Sequence, residues 1–267
     1  MGKLCKDQLV GRLVAIVVVV LLVGGGATFT ATAQADETLV QKLVSLFRGH
    51  KQIKIDDAVA QAKNALTQEA KQAKKNDLEK LFDSQIKTLK DRGVPKQIVE
   101  IIQNQKGSAL QKASEMTFGD GNIPFLPVIP RSYRSPYDLM AMVKNGGKAG
   151  YTYLNPTEIS DVVDAPQEPY YIYDVEDGSS MRDKSPESAE EALKWQKRSP
   201  LTAAEVMALT THADVLSKHY VLATGSRYEH AGRVPNVYLG YGGRPWLDWY
   251  YIDFSFDRWG AASCGSR

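Results

Sequence analysis

The pattern of apolar and polar positions divides the chain into three stretches. Leu13 to Val23 is an unbroken apolar run. From residue 36 to about 118 the apolar positions recur at helical spacing. Leu39, Val40, Leu43, Val44, Leu46 and Phe47 form one set, ended by Gly49. Asp56 to Asn76 is rich in Ala, Gln and Lys, so its helical propensity is high but its stripe is mostly alanine. Leu78, Leu81, Phe82, Ile86 and Leu89 make a better amphipathic face, closed at Asp91-Arg-Gly93. Pro95 reads as the first residue of a further helix carrying Ile98, Val99, Ile101 and Ile102, with Gly107 at its end. These helices are expected to pack on the body or on each other; a stalk or an oligomer face is the other reading.

From residue 119 the periodicity changes. Gly119-Asp-Gly-Asn122 is a turn, and Ile123 to Ile129, with its prolines, reads as an extended edge segment. Helix starts follow at Ser135-Pro136, Asn155-Pro156 and Ser185-Pro186, each a capping side chain before a first-turn proline. Thr202-Ala-Ala-Glu205 has the spacing of a capping box. Tyr151 to Leu154, Tyr170 to Val175, Val221 to Thr224, Val234 to Leu239 and Trp246 to Phe256 read as strands. Ser185 to Lys197 and Ser199 to His219 read as helices. Irregular alternation of strands and helices predicts an α+β fold, a helical part followed by a mixed sheet packed with helices. The aromatic strand 170–175 and its trailing helix pair are expected to be the centre of the scaffold. The expected division is 1–35, 36–118 and 119–267.

The first stretch changes the picture of where the chain works. Lys3, Lys6 and Arg12 precede the apolar run, Gly24-Gly-Gly26 breaks it, and Ala33-Gln-Ala35 supplies small residues before a cut at Asp36. This order predicts a secretory signal peptide, or alternatively an uncleaved membrane tether, and places the body outside the cytoplasm as a secreted or periplasmic protein. The whole chain has 33 basic and 31 acidic residues, and taking three and one from these for the first 35 residues leaves 30 of each. A neutral body has no basic field to hold nucleic acid. After cleavage the remaining cysteine is Cys264, so no internal disulfide is available, and a free thiol or an intermolecular bond is expected.

Candidate chemistry is sparse. Asp174, Glu176 and Asp177 cluster where the aromatic strand runs into an Asp-Gly turn; such acids can hold a divalent cation or simply solvate a strand end. His212 and His219, seven apart on one expected helix, would share a face but stand about 10.5 Å apart, too far for one metal ion. They read as boundary histidines that bond to the body. Gly225-Ser-Arg227, helped by Arg233, resembles a small anion loop. Cys264 would need a depressed pKa and a nearby histidine to act as a nucleophile. No metal site is assigned, and the residues specify no cofactor.

Seven segments together resemble a known family. They are Phe82-Asp-Ser-Gln-Ile86, Ile123-Pro-Phe125, Tyr173-Asp-Val-Glu-Asp-Gly178, Arg198-Ser-Pro-Leu-Thr-Ala-Ala-Glu205, Leu209-Thr-Thr-His-Ala-Asp-Val-Leu216, the Gly225-Ser-Arg227 and Arg233-Val-Pro235 pair, and Gly260-Ala-Ala-Ser-Cys-Gly-Ser-Arg267. In order over about 81–267, they resemble an uncharacterised bacterial family, domain of unknown function 5701. The resemblance implies no activity, cofactor or catalytic residue, and it leaves the stretch before about residue 80 as an addition. The reading is an exported, non-enzymatic binding or structural protein that takes a small ligand or an envelope component. The alternative is a metal-dependent or thiol-based envelope hydrolase using Asp174, Glu176 and His212, with or without His219, or Cys264. A thiol-linked dimer through Cys264 is a further expectation.

Overall fold

The computed structural model describes residues 52–267. The expected signal segment and the apolar set 39–47 lie outside them. The chain divides into two units, 1–76 and 77–267; the second holds the body.

The alanine-rich stretch and the Leu/Phe/Ile face lie on one helix, α1, which runs Gln52–Asp91. The change from an alanine stripe to a Leu/Phe/Ile stripe is a change of burial, not of backbone. Helix α2 spans Lys96–Asn104 with Pro95 at its cap, and α3 spans Lys106–Glu115, so Gly107 opens a helix instead of ending one. Leu78, Phe82, Ile86, Leu89, Ile98, Ile102 and Ala113 share one core with the sheets. The compact unit therefore starts at Asp77 and not at the expected boundary after residue 118.

The body is α+β. Strand β1 (Ile123–Val128) pairs antiparallel with a later strand, β6 (Tyr170–Val175). Between them come α4 (Pro136–Met142), the β2–β3 hairpin (Lys144–Asn145 and Lys148–Ala149), β4 (Tyr151–Thr152) and β5 (Ile159–Asp161). Then follow α5 (Pro186–Trp195), β7 (Ser199–Pro200), α6 (Ala203–His212), β8 (Tyr220–Leu222), β9 (Ser226–Tyr228), β10 (Arg233–Leu239), β11 (Pro245–Tyr251), β12 (Trp259–Ala261) and β13 (Ser263–Cys264). A mixed five-stranded sheet has the order β12-β8-β10-β11-β4; β5–β9 and β7–β13 are small antiparallel pairs.

Strand β6 is central, as its apolar run predicts. Tyr170, Tyr171, Ile172, Tyr173 and Val175 are all buried. Phe82 of α1 stacks on Tyr171 at 5.8 Å, and Phe125 of β1 meets the same ring edge-on at 5.7 Å. Gln85 donates across to the Phe125 carbonyl at 2.8 Å, so α1 is fixed to β1 by a buried hydrogen bond as well as by packing. The prolines of β1 are tolerated because, among the described residues, β6 is its only strand partner, which leaves one edge without ladder bonds to make.

Helix α6 is buried all round: Ala203 through Thr211 are each within the core. Its start matches the sequence, with the Thr202 hydroxyl accepting from the Glu205 N–H at 3.3 Å and the Glu205 carboxylate accepting from the Thr202 N–H at 2.7 Å. Its end does not. The backbone turns extended at Ala213, so the expected helix to His219 stops at His212. Apolar residues continue past that point because Val215 and Leu216 are buried in an irregular turn. A helix apolar on every side has no stripe whose loss would mark its end.

Glu205 is fully buried and gathers four donors. Arg267 gives Nε and Nη2 at 2.7 and 2.8 Å, Tyr170 its hydroxyl at 2.9 Å, and Thr202 its N–H. Arg267 also donates to the Pro200 carbonyl at 2.8 Å and to the Ser199 hydroxyl. Removing one partner of such a pair leaves a buried charge uncompensated. Glu205→Ala and Arg267→Met are each expected to lower unfolding stability by about 3–5 kcal/mol in urea titrations; a loss under about 1 kcal/mol, the size of an exposed pair, would show that the pair is not a keystone.

Candidate functional site

The acids predicted to cluster are placed close in sequence but spent on separate structural tasks. Asp174 sits in the left-handed region, at φ 53°, opposite the missing N–H of Pro124 in the β1–β6 ladder. One of its carboxylate oxygens accepts from the Gly119 N–H at 2.9 Å and the Asn122 amide at 2.7 Å. The other accepts from Arg198 at 2.6 Å. Burial would raise this carboxyl, but the donors from Asn122, Gly119 and Arg198 outweigh it and hold it below the ordinary value. Arg198 in turn donates to the Ser263 hydroxyl at 2.8 Å, so Asp174 clamps β6 to the strand that carries Cys264. Glu176 caps the turn that follows, accepting from the N–H groups of Gly178 and Ser180, each at 3.0 Å, and from the Ser179 hydroxyl. Gly178 is there because its Cα lies against the Gly260 backbone: a Cβ would come within 2.8 Å of the Gly260 carbonyl. Asp177 accepts from the Ser179 N–H at 3.0 Å.

The two histidines part company. His219 is buried after the turn, and its Nε2–H donates to the Asp177 carbonyl at 2.9 Å. His212 stays at the end of α6, among Leu89, Pro127, Ile129 and Met142, beside a void of about 10 Å³. Part of the residue reaches the surface, but both ring nitrogens are buried and neither has a hydrogen-bond partner. Burial, with a smaller push from Arg92, lowers its pKa to about 4. The shared helix face expected for the pair does not exist, because the helix ends between them. Asp174, Glu176 and His212 share no bonding partner. Among the described residues, no group of three or more His, Cys, Asp and Glu side chains is placed to hold a metal ion.

Arg227 is not a free anion receptor. Its Nη2 donates to both carboxylate oxygens of Glu190, at 2.8 and 2.9 Å, and its Nη1 donates to the Thr224 carbonyl. The Gly225 N–H is spent on Leu201 and the Ser226 N–H on Ala223, so the loop has no cradle of free amides. Arg233 pairs with Glu229 and lies over the Trp249 ring at 4.0 Å. Cys264 has no exposed surface. Burial first, then the Glu205 carboxylate, push its thiol up to about 12. A neutral, enclosed thiol is neither a nucleophile nor a point of intermolecular linkage.

A sizeable cleft lies elsewhere among the described residues, and none of the sequence candidates lines it. It is a cleft of about 700 Å³ whose wall is the segment Pro130-Arg-Ser-Tyr-Arg-Ser-Pro136. Asp161, Asp164, Gln167 and Tyr170 close it from the other side. The wall is held by the Ser132 hydroxyl donating to the Gln167 carbonyl at 2.7 Å and by Tyr133 donating to Glu168. Arg131 is anchored: it donates to the Ile159 carbonyl at 2.7 Å and pairs with Asp161 at 3.0 Å. Asp161 accepts in turn from Ser226 at 2.6 Å, and the Ala203 N–H at the start of α6 donates to that same hydroxyl at 2.8 Å. Arg134 is held loosely, by Asp138 at 3.4 Å, and its buried Nε has no partner. The signal for this wall is in the sequence: two arginines three apart, with serines and a tyrosine, between Pro130, which follows the first strand, and Pro136, which opens the next helix.

The family described as "Family of unknown function (DUF5701)" matches residues 39–267, and the chain belongs to it. The match begins well before residue 81, so the Ala/Lys-rich part of α1 lies inside the family region and is not an addition to it. Comparison with curated proteins and with solved structures returns no match.

The buried groups make two tests. The His212 pKa is lower in the fold than the ordinary 6.5, so protonation favours the unfolded chain. Its contribution is intact above about pH 6.5 and falls away towards pH 4, by about 3 kcal/mol in all. His212→Leu is expected to flatten that part of a stability–pH curve measured by urea unfolding; an unchanged slope would refute the assignment. Cys264 should resist thiol reagents such as Ellman's reagent in the native protein and react fully in denaturant; rapid native labelling would contradict its burial.

Proposed function

We propose that this is a non-enzymatic binding protein that works outside the cytoplasm, with the 130–138 cleft as its ligand site. The observation that carries the reading is the cleft itself, whose volume falls in the range of small-molecule sites. Its lining combines two arginines with Asp138, Asp161 and Asp164, so it suits a small polar ligand that both gives and accepts hydrogen bonds. Arg134 is the group with donors to spare, and it would take an anionic or carbonyl oxygen of that ligand. Tyr133 and Tyr170 add amphipathic surface.

The amino-terminal order of charge, apolar run and small residues supports export, secreted or periplasmic, with a membrane tether as the variant in which no cut is made. Among the described residues no helix is long and apolar enough to cross a membrane. A hydrolase reading draws no support from the residues first considered. Asp174 and Glu176 are saturated with donors, His212 faces apolar side chains, and the Cys264 thiol is enclosed.

A thermal-shift panel of dicarboxylates, amino acids and sugar phosphates against the full chain tests the proposal. A ligand at a hundred times its Kd should raise the Tm by roughly 5–10 °C. Arg134→Gln should abolish that rise while leaving the unliganded Tm within a few degrees. A ligand whose shift survives Arg134→Gln would place the site elsewhere.

A further inference from the structure

The outer face of the five-stranded sheet shares no residue with the cleft and carries a different chemistry. Alternation along the strands sends Val221, Val237 and Leu247 to the inner face, where they are buried in the main core. It sends Tyr220, Tyr238 and Trp246 to the other side. Pairing then lines the aromatics up. Trp259 of β12 stands opposite Tyr220, Tyr238 opposite Trp246, and Trp246 opposite Tyr151 of β4. Ring centres are 5.3 Å apart for Trp259 and Tyr220, 5.8 Å for Tyr220 and Tyr238, and 5.4 Å for Trp246 and Tyr151. An aromatic row thus crosses all five strands, a span of about 19 Å at the usual strand spacing. Tyr250 stacks on Trp259 at 4.9 Å and continues to the exposed Phe254. Helix α5 and Met181 cover the neighbouring Leu222 and Ala261, whereas the row is half-buried and opens to solvent at Tyr151 and Tyr153.

Polar groups are set into the same face. Asp248 accepts from the Tyr153 hydroxyl at 2.5 Å. Asn236, directly opposite Asp248, is 1% exposed, and neither its amide nitrogen nor its oxygen has a partner. The indole N–H of Trp246 has none either. The partly exposed Asp248 carboxylate decides what the row suits. An apolar protein surface or a lipid tail closing over it would strip water from that charge and offer it no donor. A sugar ring presents an apolar C–H face to an aromatic ring and a rim of hydroxyls that both donate and accept. The length of the row suits several linked rings.

We propose that this face binds an extended oligosaccharide chain, with Tyr151, Trp246, Tyr238 and Tyr220 as stacking platforms and Asp248 as a hydroxyl partner. Isothermal titration of the full chain with cellohexaose, chitohexaose and maltohexaose tests it. At least one should bind, and Tyr151→Ala, at an exposed position that the fold tolerates, should weaken it by about tenfold or more. Arg134→Gln should leave it unchanged, which separates this surface from the cleft. No binding of any of the three at millimolar concentration would overturn the proposal, as would binding indifferent to Tyr151→Ala. Binding to phosphatidylglycerol vesicles instead of sugars, lost in Tyr151→Ala, would overturn it too.

Discussion

The structure depends on one buried carboxylate. Glu205 has no solvent to stabilise its charge, so the fold must supply every donor it needs. Those donors come from three places: the Thr202 N–H from the start of α6, the Tyr170 hydroxyl from the start of β6, and the Arg267 guanidinium from beside β13. A negative group in the first turn also suits the positive end of the helix. The helix that fills the core, the strand at its centre and the tail strand are thereby tied to one another by a single side chain. Arg267 extends the tie to β7 through Ser199 and Pro200.

A second clamp depends on the first. Arg198 reaches both Asp174 and Ser263 only while β13 lies beside β7 and the end of β6, and Arg267 holds it there. The Arg198–Asp174 and Arg227–Glu190 pairs take up Asp174 and Arg227, charged residues that look chemical in the sequence. The acids after the aromatic strand act as fastenings: Asp174 and Glu176 each accept from three donors and Asp177 from the Ser179 N–H. Arg134 is the contrast. It stands in a wall fixed by Ser132 and Tyr133, so it is positioned, yet its own pairing to an exposed Asp138 at 3.4 Å is loose. A positioned cation with weak internal commitments is what a binding site requires.

The local features of this fold are legible in the sequence because their causes are local. Ser135, Asn155, Ser185 and Thr202 all cap where the Ser/Asn-Pro and capping-box spacings place them. The burial of β6 follows from its unbroken Tyr-Tyr-Ile-Tyr run. The end of α6 is not legible, since a helix buried on every side gives no periodic signal, and so the His212–His219 pairing drawn from it fails. Glu205 can be read as a cap, but its bond to Arg267, 62 residues away, cannot, because nothing in the spacing of either residue names the other. The same holds for Asp174 and Arg198, and for Glu190 and Arg227.

Cys264 shows how a sequence position misleads. Three residues from the last, it looks accessible, yet it lies in a strand between two buried ion pairs and has no exposed surface. The tail is drawn inwards because Arg267 must reach a carboxylate at the start of a buried helix, and the residues before it are carried into the core with it. The aromatic sheet face teaches the converse. Alternation alone marks Trp246 to Tyr251 as aromatic on both faces, but only the pairing of five strands decides which rings stand in line. The inner rings serve packing, and Trp249 does so under Arg233. The outer row is half-buried and open to solvent at Tyr151 and Tyr153, with the partly exposed Asp248 carboxylate beside it, and that combination of stacking surface with a reachable hydrogen-bonding group is what distinguishes a recognition face from a core that happens to reach the surface.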